Sequence, residues 1–177
     1  MEEIKNQVVQ SAQKIFATLG SGYSEYIYHR AMEVEGQKNQ WQFESKKIIP
    51  ISYCGFNIGY GEADLVINNS VVCEFKALNS DIRLQEVTQI KNYLNSLPHY
   101  RLGILINFPQ PSGSRPARDH IDVKFVYPNE SQDLGGEIGG EDNNDEEDVL
   151  IDNIDDEIIV KSTPDVSEME KALNCHS

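Results

Sequence analysis

The length and charge of this chain limit what it can be. Its 177 residues suffice for one ordinary domain and an appendage but are few for two full domains. The formal net charge of -14 belongs to one end: residues 1–127 hold 13 basic and 13 acidic residues, and residues 128–177 hold 2 basic and 16 acidic ones. We therefore expect one neutral domain over residues 1–127 and an acidic tail over residues 128–177.

The cysteines, the histidines and the lengths of the apolar runs indicate where in the cell the protein is expected. Three cysteines without C-x-x-C spacing argue against a disulfide framework or a structural zinc site, and four histidines lack ligand spacing. No run approaches the roughly 18 apolar residues of a membrane span, and the first residues lack the basic and apolar segments of a signal peptide. The sequence predicts an intracellular protein of the cytoplasm or nucleus, neither secreted nor in a membrane.

Hydrophobic spacing predicts two helices first. Apolar residues recur every three or four positions over residues 4–19, and Gly20 ends that helix. A second helix is predicted over residues 24–36, with Ser24 as N-cap and Gly36 as its end.

The period then changes to that of strands. Short β-rich runs over residues 41–77 predict an antiparallel meander of about four strands, and turns are expected at Pro50, at Cys54 and Gly55, and at Asn68 and Asn69.

Helix and strand signals alternate in the rest of the domain. Residues 84–97 have helical spacing, and Pro98 forbids continuation. Residues 102–108 predict a strand covered on both sides, and residues 123–127 predict a last short strand. After Pro128 too few apolar residues remain to offset the entropy of ordering, so we expect a disordered tail.

Charged residues on two neighbouring predicted strands form the most informative pattern. Asp64 begins one strand, and Glu74 and Lys76 lie in the next, where alternation places them on one face and Phe75 on the other. Carboxylates on adjacent strands can share a hard cation such as Mg²⁺, and a nearby ammonium can stabilise developing negative charge. The pattern alone is weak, but its apolar context makes burial without a partner costly.

With these residues in view, the sequence resembles a known family. The segment Gly22-Tyr23-Ser24-Glu25-Tyr26-Ile27-Tyr28 matches the signature of the GxxExxY proteins, a branch of the PD-(D/E)XK nuclease superfamily. Similar blocks follow in order at residues 49–53, 63–66, 73–77, 89–94 and 102–108. The resemblance spans about residues 4–127 and implies an α/β (α+β) fold with a restriction-endonuclease-like core, a central mixed sheet flanked by helices, and nuclease activity.

The resemblance also implies a metal centre. Asp64 and Glu74 would bind Mg²⁺ or Mn²⁺, Lys76 would be the catalytic lysine, and Glu25 would be a further ligand or a water-positioning carboxylate. The proline that precedes the motif aspartate in the family is replaced by Ala63.

Further residues would border this centre. Gln89 and Tyr93 lie four apart on one helix face and would take part in catalysis, while Tyr28 would contact substrate or Tyr93. Candidate phosphate contacts are Lys46, Lys47, Arg83, Lys91, Arg101, Arg115 and Arg118, with Arg115 and Arg118 in a loop that could reach substrate.

Structural alternatives stand beside these roles. Glu25 could be a first-turn acid favoured by the helix dipole, Tyr28 and Tyr93 could be packing residues, Cys73 is expected in the core, and Asn107 could form a turn.

A second class of function also stays open, a catalytically silent nuclease-fold module that recruits partners through its tail. The full set of motif residues favours a nuclease, for which the resemblance implies DNA rather than RNA as substrate. The neutral domain and the long acidic tail favour the module.

The tail suggests a partner of its own. Residues 146–152 and 155–160 place short aliphatic runs after acids, which suits strand addition to a partner sheet, and they look similar to SUMO-interacting motifs. The alternatives are a solubilising tail, or a polyanion that mimics DNA and covers the active site.

Overall fold

Three helices and one mixed sheet of five strands make up the part of the chain that the structure describes, which is residues 1–129 of this computed structural model. The helices are α1 (Glu2–Leu19), α2 (Glu25–Lys38) and α3 (Leu84–Ser96), and the strands are β1 (Phe43–Tyr53), β2 (Phe56–Ile67), β3 (Val71–Lys76), β4 (Leu102–Asn107) and β5 (Asp122–Val126). The predicted disordered tail from residue 130 onward, with its two strand-addition segments, lies outside the described residues.

The first two helices are confirmed, with one correction at the end of α2. Ser24 occupies the N-cap position, but Gly36 lies inside the helix instead of ending it. A Cβ at Gly36 would come within 2.9 Å of the Phe43 ring. The glycine therefore permits β1 to approach α2 closely.

The meander has three strands, not four, because Pro50 does not break its strand. Pro50 lies inside β1, where its partner on the neighbouring strand is Tyr60. β1 is an edge strand of a sheet ordered β1-β2-β3-β4-β5. An edge strand tolerates a residue that lacks the backbone N–H. The turns at Cys54 and Gly55 and at Asn68 and Asn69 do connect strands, and all four residues have positive φ angles.

The sheet is mixed because one of its neighbouring pairs is parallel. β3 and β4 run parallel, from Val71 opposite Leu102 to Lys76 opposite Asn107, whereas the other three pairs are antiparallel. A parallel pair needs a crossover connection, which α3 provides. The predicted α+β class with a mixed sheet is confirmed.

Helices cover both faces of the sheet. The core between the sheet and the first two helices contains Val8, Ala12, Ile15, Phe16, Tyr28, Met32, Leu65, Ile67, Cys73, Phe75, Ile104, Ile106 and Phe108. The core under α3 contains Ile49, Ala63, Val66, Val72, Val87, Ile90, Tyr93, Leu94 and Leu105. β4 contributes to both cores, as its apolar sequence predicts. Within residues 1–129, no helix combines the length and the apolar character needed to cross a bilayer.

Candidate active site

Asp64 lies where β2 and β3 separate. The two strands pair only between Leu65–Ile67 and Val71–Cys73, and Asp64 is the next residue beyond that pairing. Its Oδ2 accepts a hydrogen bond of 2.8 Å from the backbone N–H of Phe75, and its side chain is buried. The carboxylate therefore bridges the gap between the strands and is held in a defined orientation.

Glu74 and Lys76 share the face that the alternation of β3 predicts. Lys76 Nζ donates to Glu74 Oε2 over 3.3 Å, while the intervening Phe75 is in the core on the other side. Glu74 is only 2% exposed, and among the described residues its Oε1 has no hydrogen-bond partner. An ionised oxygen buried in this way is costly unless a cation or proton compensates it.

Glu25 reaches the same group from the first residue of α2. Its Oε1 lies 3.8 Å from Lys76 Nζ, and its side chain is about half exposed. One and two turns further along α2, the buried His29 and Glu33 contact Ser45 of β1. This polar cluster, which the sequence reasoning did not identify, attaches the start of α2 to the sheet.

Lys46 was predicted as a phosphate contact, but the structure pairs it with the motif aspartate. Lys46 Nζ donates to Asp64 Oδ1 over 2.6 Å and lies 3.5 Å from Glu62 Oε1. Its φ of 52° is in the left-handed region, which is costly for a residue with a Cβ. Neither this backbone conformation nor the partner can be recognised from the sequence around Lys46.

The packed charges change the proton affinities of the site. Burial, and then the charge of Asp64, raise the pKa of Glu74 to about 7 despite the nearby ammonium of Lys76. Burial also raises the pKa of Glu25. Burial alone would lower the pKa of Lys76, but the charges of Glu74 and Glu25 outweigh it, so that pKa is raised. For Lys46 the hydrogen bond and charge of Asp64 likewise outweigh burial and raise the pKa.

The donor set has the chemistry of a Mg²⁺ or Mn²⁺ site, although its side chains are not gathered around one point. Among residues 1–129, no three His, Cys, Asp or Glu side chains are grouped closely enough to hold a metal ion. The unsatisfied oxygen of Glu74 beside Asp64 nevertheless fits a hard cation, which takes oxygen ligands. Binding would require Asp64 Oδ1 to exchange its contact with Lys46 for the metal.

Gln89 and Tyr93 share one face of α3 and contact the strand that carries Asp64. Gln89 Nε2 donates to Tyr93 Oη over 3.1 Å, and Tyr93 Oη donates to the carbonyl of Glu62 over 3.2 Å. Tyr93 fits against β2 because the facing residue is Gly61, where a Cβ would lie 2.3 Å from its ring. The two side chains thus border the candidate site without touching its carboxylates, and their catalytic role stays a prediction.

Tyr28 does not occupy the position predicted for a substrate contact. It is fully buried, its ring stacks on Phe108 at a centroid distance of 4.3 Å, and its hydroxyl donates to the carbonyl of Gly20 over 2.7 Å. Its partner ring is therefore Phe108 and not Tyr93. The sequence alternative, a packing residue, is the one that fits, because a side chain without exposed surface cannot touch a substrate.

The two loop arginines differ in their surroundings. Arg118 is held by ion pairs with Asp81 and Asp122, so its guanidinium serves the fold. Arg115 is exposed in a tight turn with Ser112. Substrate contact by Arg115 stays a prediction, whereas for Arg118 it would require these ion pairs to open.

Asn107, predicted as a turn former, connects the end of β4 with the loop after β3. It is fully buried, accepts a hydrogen bond of 2.7 Å from the Leu78 N–H, and donates to Asp122 and to the carbonyl of Ser80. Because Asn107 is opposite Lys76 in the sheet, these bonds fix the segment that follows the catalytic lysine candidate.

Comparison with known proteins assigns this arrangement to a family. Neither the curated proteins nor the solved structures gave a match. The family model of the PD-(D/E)XK nuclease superfamily matches residues 2–118, a span that contains every residue of the candidate site. The chain therefore belongs to the PD-(D/E)XK nuclease superfamily.

Proposed function

We propose that residues 1–127 form a metal-dependent nuclease domain that hydrolyses phosphodiester bonds, in DNA rather than RNA. The observation that carries the proposal is the buried Glu74, which has an unsatisfied oxygen and lies beside Asp64 and Lys76. A structural ion pair would not need a carboxyl group whose second oxygen is buried without a partner. Perturbed groups clustered in this way are typical of functional sites.

Each motif residue has a distinct task in this proposal. Asp64 and Glu74 would hold Mg²⁺ or Mn²⁺, with Glu25 as an additional ligand or water-positioning group. When bound, the cation supplies Lewis-acid polarisation and a more acidic water. Lys76, which contacts both glutamates, would place its ammonium against the phosphate oxygen that gains negative charge.

Residues near the centre support its orientation. The Phe75 N–H holds Oδ2 of Asp64, so a metal ion would take the place of Lys46 at the other oxygen, Oδ1. Gln89 and Tyr93 would keep β2 against α3 and thereby maintain the position of Asp64. Arg115 would contribute a mobile phosphate contact.

Two observations favour the alternative of a catalytically silent binding module. Lys46 neutralises Asp64 at 2.6 Å, and the carboxylates of residues 1–129 are not gathered into a metal site. If this ion pair is permanent, the fold would bind nucleic acid or a protein partner without cleaving it.

A cleavage assay on the full chain separates the two candidates. We expect labelled DNA to be cut with Mg²⁺ or Mn²⁺, and the Lys76→Ala variant to lose this activity. Lys38→Ala is a matched control, because Lys38 lies at the far end of α2, about 20 Å from Glu25 along the helix, and should remain active. Absence of cleavage by the wild type, together with absence of Mg²⁺ binding in calorimetry, would support the silent module.

A further inference from the structure

A groove of about 950 Å³ lies between the β1–β2 hairpin and α3. The hairpin contributes Ile51, Ser52, Tyr60 and Gly61, and the helix contributes Leu84, Gln85, Thr88, Gln89, Asn92, Tyr93, Asn95 and Ser96. Not one of these residues is charged, and four carry side-chain amides. We propose that this groove, called here the amide groove, binds the unpaired bases of a single-stranded polynucleotide and presents it to the candidate active site. The proposal rests on the proposed function and names its substrate class.

The chemistry of the lining matches bases better than it matches phosphates. Strong binding through phosphates relies on Lys and Arg, and the lining contains neither residue. Side-chain amides offer both donors and acceptors, as base edges do. Within the described residues, Gln85 and Asn92 are exposed and their amides form no hydrogen bond to the protein. These amides remain available to a ligand.

Tyr60 adds a surface on which a base can stack. It stands on β2 opposite Pro50 and is 68% exposed. An aromatic ring in this setting has little role in the core, whereas unpaired bases stack on aromatic side chains irrespective of sequence. The neutral charge of residues 1–127 agrees with a ligand recognised through its bases, because a duplex is tracked mainly through its phosphates.

The amide groove shares two lining residues, Gln89 and Tyr93, with the border of the candidate active site. At its inner wall Gln89 bonds to Tyr93, which bonds to the Glu62 carbonyl. The adjoining Gly61 precedes Asp64 by three residues, which is about 10 Å along a strand. A single-stranded polynucleotide whose bases lie in the groove would therefore pass its sugar–phosphate backbone close to Asp64 and Lys46.

Binding without cleavage tests the proposal. Fluorescence anisotropy of the full chain, in EDTA and at one fixed salt concentration, would use a labelled single-stranded oligodeoxynucleotide and the duplex of the same sequence. We expect tighter binding of the single strand, weakened about tenfold by Tyr60→Ala and several-fold by the double variant Gln85→Ala with Asn92→Ala.

Matched controls exist outside the groove. Tyr53, on the same hairpin and 69% exposed, controls for Tyr60. The exposed pair Asn6 and Gln10 on α1 controls for the amide pair, and neither control variant should change the affinity. Equal losses in controls and groove variants, no loss at all, or preference for the duplex would each overturn the proposal.

Other outcomes are distinguishable. If Tyr60→Ala changes the molar mass measured by light scattering and leaves oligonucleotide affinity intact, the groove binds a second copy of the chain, and the proposal is wrong. If the wild type cleaves DNA in the presence of metal and no groove variant changes the cleavage rate or the affinity, the proposed nuclease function is supported and the proposed role of the groove is wrong. If the groove variants lose affinity but the wild type does not cleave DNA, the proposed role of the groove is supported and the proposed nuclease function is wrong.

Discussion

Burial of Glu74 should make the stability of this protein fall as pH rises toward neutrality. The pKa of Glu74 is raised from 4.5 to about 7 in the folded chain, so the folded state retains a proton that the unfolded state releases. Between these two values, the free energy of unfolding decreases with increasing pH. The difference corresponds to about 3 kcal/mol and to a shift in Tm on the order of 10 °C.

The Glu74→Gln variant isolates this effect. Glutamine keeps the shape but cannot ionise, so the variant should be as stable as the wild type near pH 4.5 and more stable by up to about 3 kcal/mol above pH 7. Urea unfolding followed by the fluorescence of Trp41, the one tryptophan of the chain and 9% exposed, gives the free energies of unfolding.

A second glutamate provides a control of opposite sign. Burial would raise the pKa of Glu35, but hydrogen bonds and charges from Lys14 and Lys38 outweigh it and lower that pKa. Glu35→Gln should therefore be less stable than the wild type at neutral pH, and this deficit should shrink as pH falls below 4.5. Parallel stability curves for wild type and Glu74→Gln from pH 5 to about pH 8 would refute the reasoning.

Three further substitutions test the packing and the site. Asn107→Ala leaves the half-buried Leu78 N–H without its acceptor and should lower the free energy of unfolding by about 2 kcal/mol; a loss below about 0.5 kcal/mol would show that this network contributes little. Gly103→Ala places a Cβ 2.9 Å from Ile90 and should cost about 1–3 kcal/mol in urea unfolding, unless α3 can shift freely, in which case no loss would be seen. Lys46→Ala removes the cation that competes for the motif aspartate and should tighten Mg²⁺ binding roughly tenfold in calorimetry, whereas unchanged or weaker binding would contradict that competition.

The local sequence predicts a helix or strand well where the spacing of its apolar residues agrees with the position of the residues that end it. α3 has helical spacing and ends before Pro98, and β4 is a continuous apolar run, so both were found within a residue or two. Pro50 and Gly36 were misinterpreted because their meaning depends on tertiary position. A proline is tolerated on an edge strand, and a glycine inside a helix can permit close packing. The local sequence shows neither that β1 lies at the edge of the sheet nor that Phe43 packs against Gly36.

The candidate site was predictable in its charges but not in its contacts. The spacing of Asp64, Glu74 and Lys76 on adjacent strands brings them together, as alternation requires. The burial of Tyr28 could not be read from its helix position, because Glu25 at the start of the same helix is half exposed. The pairing of Lys46 with Asp64 depends on a left-handed residue within β1, which no sequence pattern indicates.

The mixed sheet also implies an order in which the centre assembles during folding. β2 and β3 are joined by the short turn at Asn68 and Asn69, so Asp64 and Glu74 can meet after closing a small loop, which costs little entropy. Pairing of β3 with β4 must wait for the α3 crossover, and Glu25 must arrive from α2 across an even longer chain separation. We therefore expect the two principal carboxylates to be neighbours in the transition state, while Glu25 joins them only on completion of the native packing.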